Sequence, residues 1–185
     1  MPAASLSEDF SNLGLFLNRL RRTPSAKRAF LEVLSEIYDG VDDFDISVEG
    51  NTVQVYLHEG EFTIPAIRLS DGTLRYLCLL AILLDPTPPP LICIEEPELG
   101  IHPNIINKLA DLLKEASTRT QLIVTTHSQQ LVDNFTESPE DIVVCEKRSG
   151  QTTLERLDAK EMSIWLDKYS LGDLWSSGEI GGNRW

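Results

Sequence analysis

The spacing of apolar residues over the first 65 positions predicts two amphipathic helices followed by a hairpin. The apolar face of the first helix comprises Phe10, Leu13, Phe16, Leu17 and Leu20. The second helix is predicted to begin at Pro24 after the cap Thr23 and to end at Gly40. Apolar and polar residues then alternate over 44–48 and 53–57, with a turn predicted at 49–51. These elements predict a small α+β lobe.

After residue 65, short unbroken apolar runs replace the alternation, at 91–94, 121–124 and 141–144. Such runs are typical of parallel strands that are buried on both faces. Helical spacing occurs between them, over 74–81 and again over 105–113, the latter started by Pro103. This order predicts an α/β fold with a parallel sheet and flanking helices. We therefore expect an N-terminal lobe over 1–65 and a core over 66–185.

Composition and charge narrow the class of protein. The chain has 185 residues, 42% of them hydrophobic and 24% charged, which predicts a globular fold and excludes disordered or fibrous chains. Its 16 basic and 29 acidic residues give a formal net charge of −13, which repels nucleic acid and anionic membranes. We expect nucleic acid to bind only through an assembled complex.

Features of membrane insertion and of oxidised compartments are absent from the sequence. The longest apolar run, 77–84, is too short to cross a bilayer, and the first residues lack the basic segment of a signal peptide. Cys78, Cys93 and Cys145 lie far apart, each in an apolar run, which predicts buried thiols in a reducing compartment. A cytoplasmic protein without membrane contact is expected.

Candidate chemistry begins where the first apolar run ends, at Glu95 and Glu96. Polar groups at the carboxyl ends of parallel strands meet ligands in the crevice beyond the sheet. Adjacent residues of an extended chain point in opposite directions, so one carboxylate could face a cation and the other a water molecule. The alternative is a pair of solvated acids at a strand end.

Two further segments carry polar groups that suit a phosphate ligand. The second apolar run is followed by His127, and Ser70, Asp71, Gly72 and Thr73 precede an apolar helix. Free backbone N–H groups and hydroxyls at such a helix start could hold phosphate oxygens. The alternatives are a structural histidine and an ordinary helix cap.

Taken in order, these segments resemble the ABC-type ATPases of the SMC, RecF and OLD-like branch, and most closely bacterial ATPases of the AAA/ABC superfamily. The resemblance covers 67–134 and extends loosely to the tail at 169–175 and 181–185. It implies a partial P-loop NTPase fold that binds ATP and Mg2+. The motif residues are L-S-D-G-T-L-R at 69–75, I-E-E-P-E at 94–98 and T-T-H-S at 125–128.

The resemblance also implies a role for each motif. Ser70, Asp71, Gly72 and Thr73 correspond to the signature motif, which contacts the γ-phosphate of ATP bound to the opposite protomer. Glu95 takes the Walker B position that holds Mg2+ through water, and Glu96 that of the catalytic acid that orients the attacking water. The segment 98–103 matches the D-loop, and His127 the switch histidine that senses the γ-phosphate.

The sequence departs from the family pattern in two ways. Position 95 is Glu where most ABC ATPases have Asp, although the OLD-like branch often has Glu-Glu-Pro. No segment matches G-x-x-x-x-G-K-[ST], the loop that cradles the phosphates. The chain therefore looks like the C-terminal half of an ATPase, which we expect to be inactive until a P-loop-bearing half completes it.

Two other functions are alternatives to an ATPase half, and the residues disfavour the second of them. The chain could be a non-catalytic remnant of an ATPase that still oligomerises through the same surfaces. A metal nuclease with a Toprim domain would need D-x-D after Glu146, and none occurs there.

The family's strand order also makes a prediction about the sheet. The missing P-loop strand would lie between the strand that ends near His127 and the strand that begins near Asp141. Both strands would then have unpaired edges, at about 1 to 3 kcal/mol for each buried backbone group. We expect closure by direct pairing of these strands, by an N-terminal segment, or by self-association.

Overall fold

The computed structural model of the chain describes residues 6–7, 11–49 and 52–182. Packing divides the chain into two compact units, Met1–Val124 and Thr125–Trp185. Phe10, the predicted turn residues Gly50 and Asn51, and tail residues 183–185 lie outside the described residues. The functional division into 1–65 and 66–185 stays a prediction.

The first unit begins with two helices packed on an antiparallel sheet. The helices are α1 (Leu13–Leu20) and α2 (Pro24–Ser35), and the strands are β1 (Val41–Glu49), β2 (Thr52–Glu59) and β3 (Phe62–Pro65). Phe44 pairs with Leu57 and Val48 with Val53, which confirms the predicted hairpin. The second helix ends at Ser35 rather than at Gly40, and the Thr23 side chain makes no cap hydrogen bond.

The rest of the first unit has the predicted β-α-β order. It comprises α3 (Asp71–Leu83), β4 (Leu91–Glu95), α4 (Ile106–Ser117) and β5 (Gln121–Thr125), with β4 and β5 paired as a parallel sheet. Helix α3 contacts α1, α2 and α4, so its apolar side chains form the centre of this unit. Leu77, Leu80 and Ala81 are fully buried there.

A buried ion pair fixes the segment that leads from α3 into β4. Asp85 is 2% exposed and accepts hydrogen bonds from the Arg19 guanidinium and from the Thr87 N–H, the latter at 3.0 Å. The same guanidinium lies 4.4 Å from the centre of the Phe16 ring. A buried carboxylate needs such partners, because without them its desolvation costs several kcal/mol. The pair therefore ties α1 to the proline-rich loop before β4.

The prediction that the strands are buried on both faces is wrong for β4 and β5. Burial alternates along both strands, and the outward-facing side chains of Leu91 and Ile123 are 45% and 51% exposed. An apolar run shows that its residues suit burial, but it does not show what covers them. Within the described residues, one face of this sheet is open.

The edges of the sheet show how much of the predicted gap is closed. Among the described strands, β5 has one hydrogen-bonded neighbour, which is β4. Neither predicted intramolecular closure, direct pairing with the strand near Asp141 or pairing with an N-terminal strand, occurs in the described part of the chain. Self-association remains as the predicted way to cover this edge.

The second unit contains α5 (Gln129–Asp133), β6 (Val143–Arg148), β7 (Gln151–Arg156), α6 (Ala159–Leu166) and α7 (Leu171–Ser177). Strands β6 and β7 form an antiparallel hairpin. The run at 141–144, predicted as a buried parallel strand, is instead the start of this hairpin, in which Val143 is 41% exposed. The core of the unit lies between α5 and α7, where Leu131, Val132, Leu171 and Leu174 are buried.

One of the three cysteines is buried, and the other two are exposed. Cys78 on α3 is buried as predicted, and burial raises the pKa of its thiol to about 12. Cys93 and Cys145 are exposed, which corrects the prediction that all three thiols are buried. None of the described helices has the length and hydrophobicity that a bilayer crossing requires.

We predict that the open face and edge of β5 drive self-association of the isolated chain. Ile123→Lys should shift the chain toward monomer in light scattering, because a lysine on an edge strand opposes pairing with another strand. Ile67→Lys is the matched control, since Ile67 is 89% exposed and lies outside β4 and β5. Equal self-association of both variants and the unsubstituted chain would contradict this prediction.

Candidate functional site

The predicted signature residues form the first turn of α3. Ser70 is the N-cap, and its hydroxyl oxygen accepts from the Thr73 N–H at 3.1 Å and lies 2.8 Å from the Thr73 hydroxyl. Ser70 and Asp71 are exposed, and Gly72 and Thr73 are half-buried. The structure thus bears out the ordinary helix cap for Ser70, while its hydroxyl stays at the surface.

The same turn is locked to the loop that follows β4. A side chain at Gly72 would fall on the backbone carbonyl of Gly100, so only glycine allows the two backbones to approach this closely. One turn later, the Arg75 guanidinium donates to the Leu99 carbonyl at 2.8 Å. The predicted signature and D-loop segments are therefore one connected structure, and Arg75 and Leu99 are contacts that the sequence analysis did not identify.

The two acids after β4 are separated by a backbone turn rather than by strand alternation. Glu95 is the last residue of β4 and is exposed, whereas Glu96 has a φ of 43°. Left-handed backbone at a residue other than glycine costs about 1 to 3 kcal/mol, and such strain occurs most often at functional sites. Pro97, which follows, is buried and helps to hold this turn.

Glu95 and Glu96 line a common cavity of about 310 Å³ in the first unit. Arg75, Cys78 and Cys93 also line it, so it lies between α3 and the end of β4. The residues Ser70, Asp71, Gly72 and Thr73 do not line it. The structure therefore brings the two acids together with the signature helix, but it keeps the signature turn itself outside their cavity.

The carboxylates of Glu95 and Glu96 are candidate ligands for a magnesium ion. Within the described residues, no cluster of three or more His, Cys, Asp or Glu side chains could hold a metal. Mg2+ does not need such a cluster, because it commonly binds through one or two carboxylates, several waters and the phosphates of its substrate. Glu95 and Glu96 fit that mode of binding.

His127 lies in the second unit, two residues after the end of β5, and its side chain is exposed. The Thr126 hydroxyl oxygen accepts from the Ser128 N–H at 3.0 Å, which closes a turn around His127. Ser128 then caps α5 by accepting from the Leu131 N–H at 3.2 Å. The backbone on both sides of His127 is therefore fixed, while its imidazole faces solvent.

Residues 2–133 of the chain match the protein family described as "AAA domain, putative AbiEii toxin, Type IV TA system". No curated protein matches the chain.

Solved structures with a similar fold are ATPase heads. One of them is described as "Structural biochemistry of ATP-driven dimerization and DNA stimulated activation of SMC ATPases". It is 17% identical to this chain, with a TM-score of 0.56, and the match covers 83% of this chain and 96% of that chain. An Smc head bound to the C-winged helix domain of ScpA is 18% identical with a TM-score of 0.61, over 78% of this chain and 45% of that one.

A third similar structure is the Smc head from Pyrococcus furiosus with an extended coiled coil, bound to the C-terminal domain of ScpA. It is 18% identical with a TM-score of 0.60, over 86% of this chain and 41% of that one. The chain thus spans less than half of these two Smc chains and nearly all of the first. At such identities the likeness shows the fold, which is that of a P-loop NTPase head.

We predict that Gly72→Ala destabilises the protein, although Gly→Ala inside a helix ordinarily stabilises it by about 1 kcal/mol. The reversal is expected because the new methyl group would displace the Gly100 carbonyl. Urea unfolding should show a loss of about 1 to 3 kcal/mol, the usual cost of overpacking. Thr73→Ala, on the same turn, is the control and should cost less. A stabilised Gly72→Ala variant would show that the two backbones are not locked.

Proposed function

This chain belongs to the AAA-domain family that matches residues 2–133, and from that premise we propose that it is one part of a composite ABC-type ATPase site. In this proposal the chain binds and hydrolyses ATP with Mg2+ only together with a P-loop-bearing ATPase half. It supplies the signature, Walker B and switch-histidine residues, and the partner supplies the phosphate-cradling loop.

The observation that carries the proposal is the separation of the signature turn from the acids. Glu95 and Glu96 line one cavity, while Ser70 and Asp71 are exposed and do not line it. A turn placed in this way is available to a nucleotide held by another molecule. This arrangement supports a site assembled from two protomers.

Each acid has a distinct role in the proposed reaction. Glu95 would hold Mg2+ through water, and the chemistry that the cation would supply there is neutralisation of charge on the phosphates. Glu96 accepts a hydrogen bond from the attacking water and orients it toward the γ-phosphate. His127 donates a hydrogen bond to the γ-phosphate. Because this donor contacts only a group that ATP has and ADP lacks, it senses the state of the nucleotide.

The open side of the β4–β5 sheet supports a P-loop-bearing half as the partner. No G-x-x-x-x-G-K-[ST] occurs in the sequence, and the free edge of β5 and the exposed side chains of Leu91 and Ile123 offer surface for another strand and helix. The solved structure that this chain covers almost completely is described with ATP-driven dimerization, and we propose assembly with ATP here as well.

A second candidate function is a non-catalytic module that oligomerises through the same open sheet without turnover. The exposed strand face would serve this function equally well. The strain at Glu96 favours catalysis, since an assembly module has no use for a costly backbone conformation next to an acid. Assembly that changes with nucleotide would favour the ATPase.

We predict that Glu96→Gln abolishes hydrolysis in the complex with a P-loop-bearing half while leaving assembly intact. A neutral amide does not hold the attacking water in line as the carboxylate does, and misplacement of a reacting group can cost about a hundredfold in rate, at about 1.4 kcal/mol for each factor of ten. The rate of phosphate release measures this. Glu61→Gln, at an exposed turn, is the matched control.

The neighbouring acid should behave differently. Glu95→Gln is expected to weaken Mg2+-dependent nucleotide binding itself, because a neutral amide is a poorer ligand than a carboxylate. If Glu96→Gln leaves turnover within about threefold of the unsubstituted complex, which is roughly 0.7 kcal/mol, the catalytic assignment is wrong.

A further inference from the structure

The C-terminal tail of the second unit is packed against the helix that follows His127. Helix α7 lies on α5, and Leu131, Leu171 and Leu174 between them are at most 3% exposed. We refer to residues 170–182 as the C-terminal strap. None of the roles proposed above involves a residue of this segment.

Specific polar contacts fix the strap to α5. The Gly172 N–H donates to the Asp133 carboxylate at 2.7 Å, and the Leu171 N–H donates to the Thr136 hydroxyl oxygen at 3.1 Å. Ser170 and Asp173 form a capping box that holds the start of α7 in place. Hydrogen bonds to a charged acceptor are stronger than those between neutral groups, so Asp133 is the main polar anchor.

The contact at Gly172 leaves no room for a side chain. A methyl group there would fall on the Asp133 carboxylate and lie 2.7 Å from Cγ of Gln129. Real carbon atoms do not approach this closely, so any residue larger than glycine would displace the Asp133 and Gln129 side chains or move α7 away from α5. In either case the hydrogen bond between Gly172 and Asp133 would be disturbed.

The far end of the strap is held to β6. The Gly182 N–H donates to the Glu146 carboxylate at 2.8 Å, and a methyl group at Gly182 would lie 3.0 Å from the Val144 side chain. The strap thus connects α5 to the β6–β7 hairpin within the second unit. Helix α5 has only five residues and could not hold a fixed position without such support.

The position of α5 is passed on directly to His127. Ser128 is the N-cap of α5, and the hydrogen bond from its N–H to Thr126 closes the turn that contains His127. A shift of α5 therefore moves both ends of this turn.

We propose that Asp133 and Gly172 are positioning residues, through which the C-terminal strap holds α5 and so fixes His127 for the γ-phosphate. The inference rests on the function proposed for His127. It predicts that loosening the strap lowers kcat for ATP hydrolysis more than it raises KM, because the partner's P-loop holds the β- and γ-phosphates, whereas His127 adds one hydrogen bond at the γ-phosphate that is transferred.

The first test uses the full chain alone and needs no activity. NMR of the histidine rings should show a shifted or broadened His127 signal in Gly172→Ala and in Asp133→Ala, while His58 and His102 in the first unit stay unchanged. Amide exchange at Leu131 and Val132 should become about tenfold faster, as expected when a helix loses its tertiary anchor. His127→Ala identifies the ring signal.

The matched control is Gly150→Ala, at the turn of the β6–β7 hairpin. Its φ of +82° strains the new side chain, but nothing lies within 4 Å of the added methyl group. This variant disturbs the second unit without touching the strap, so its His127 signal should stay unchanged. A His127 signal that is unchanged in Gly172→Ala and Asp133→Ala, or equally changed in Gly150→Ala, would overturn the proposal.

A second test separates the strap from the function of His127. In the complex with a P-loop-bearing half, Asp133→Ala should lower kcat, and combining it with His127→Ala should produce no further loss. If Asp133→Ala lowers kcat by the same factor in the His127→Ala background, the strap acts elsewhere and the inference is wrong. If His127→Ala alone leaves kcat unchanged, the role of His127 fails, while the ring spectra still decide whether the strap holds it.

Discussion

The incomplete pairing of the β4–β5 sheet is the constraint on which the rest of this structure depends. Among the described residues, two short parallel strands leave a row of backbone groups without strand partners at the edge of β5, and one sheet face exposes Leu91 and Ile123. Parallel sheets are ordinarily covered on both faces, because their strands are apolar throughout. The proposed partner supplies what is missing, namely a strand at the edge and cover for the open face.

The first unit is nevertheless organised in detail around its open sheet. The Arg19–Asp85 ion pair holds the loop that enters β4, and the Gly72–Gly100 contact joins the start of α3 to the loop that leaves β4. Glu96 keeps a strained backbone between these two supports. Strain of this kind persists only where the surrounding structure fixes it, which supports the proposal that the acids belong to a pre-organised site.

The sequence predicted the elements whose patterns are local. Alternation over 44–48 and 53–57 specifies one buried face, and the structure has this hairpin. The β-α-β order around α4 likewise follows from helical spacing between two apolar runs. Burial of both strand faces and of Cys93 was predicted wrongly, because hydrophobicity describes a residue and not the structure that covers it.

The features that the sequence did not reveal depend on contacts between distant residues. The left-handed backbone at Glu96 has no marker in Glu-Glu-Pro, since the strain is imposed by the packing around the turn. The contact between Arg75 and Leu99 joins residues 24 positions apart, and the contact between Asp133 and Gly172 joins residues 39 apart. Short motifs identify which residues carry chemistry, and tertiary contacts decide how those residues are held.

The central claim, that this chain is one part of a divided ATP site, is tested most directly by calorimetric titration of the purified chain with Mg-ATP. Backbone amides and the lysine of a P-loop hold the β- and γ-phosphates, and the sequence contains no such loop. We expect no saturable binding of Mg-ATP in the micromolar range by the chain alone, and saturable binding once a P-loop-bearing half is added. Micromolar binding by the chain alone would contradict it.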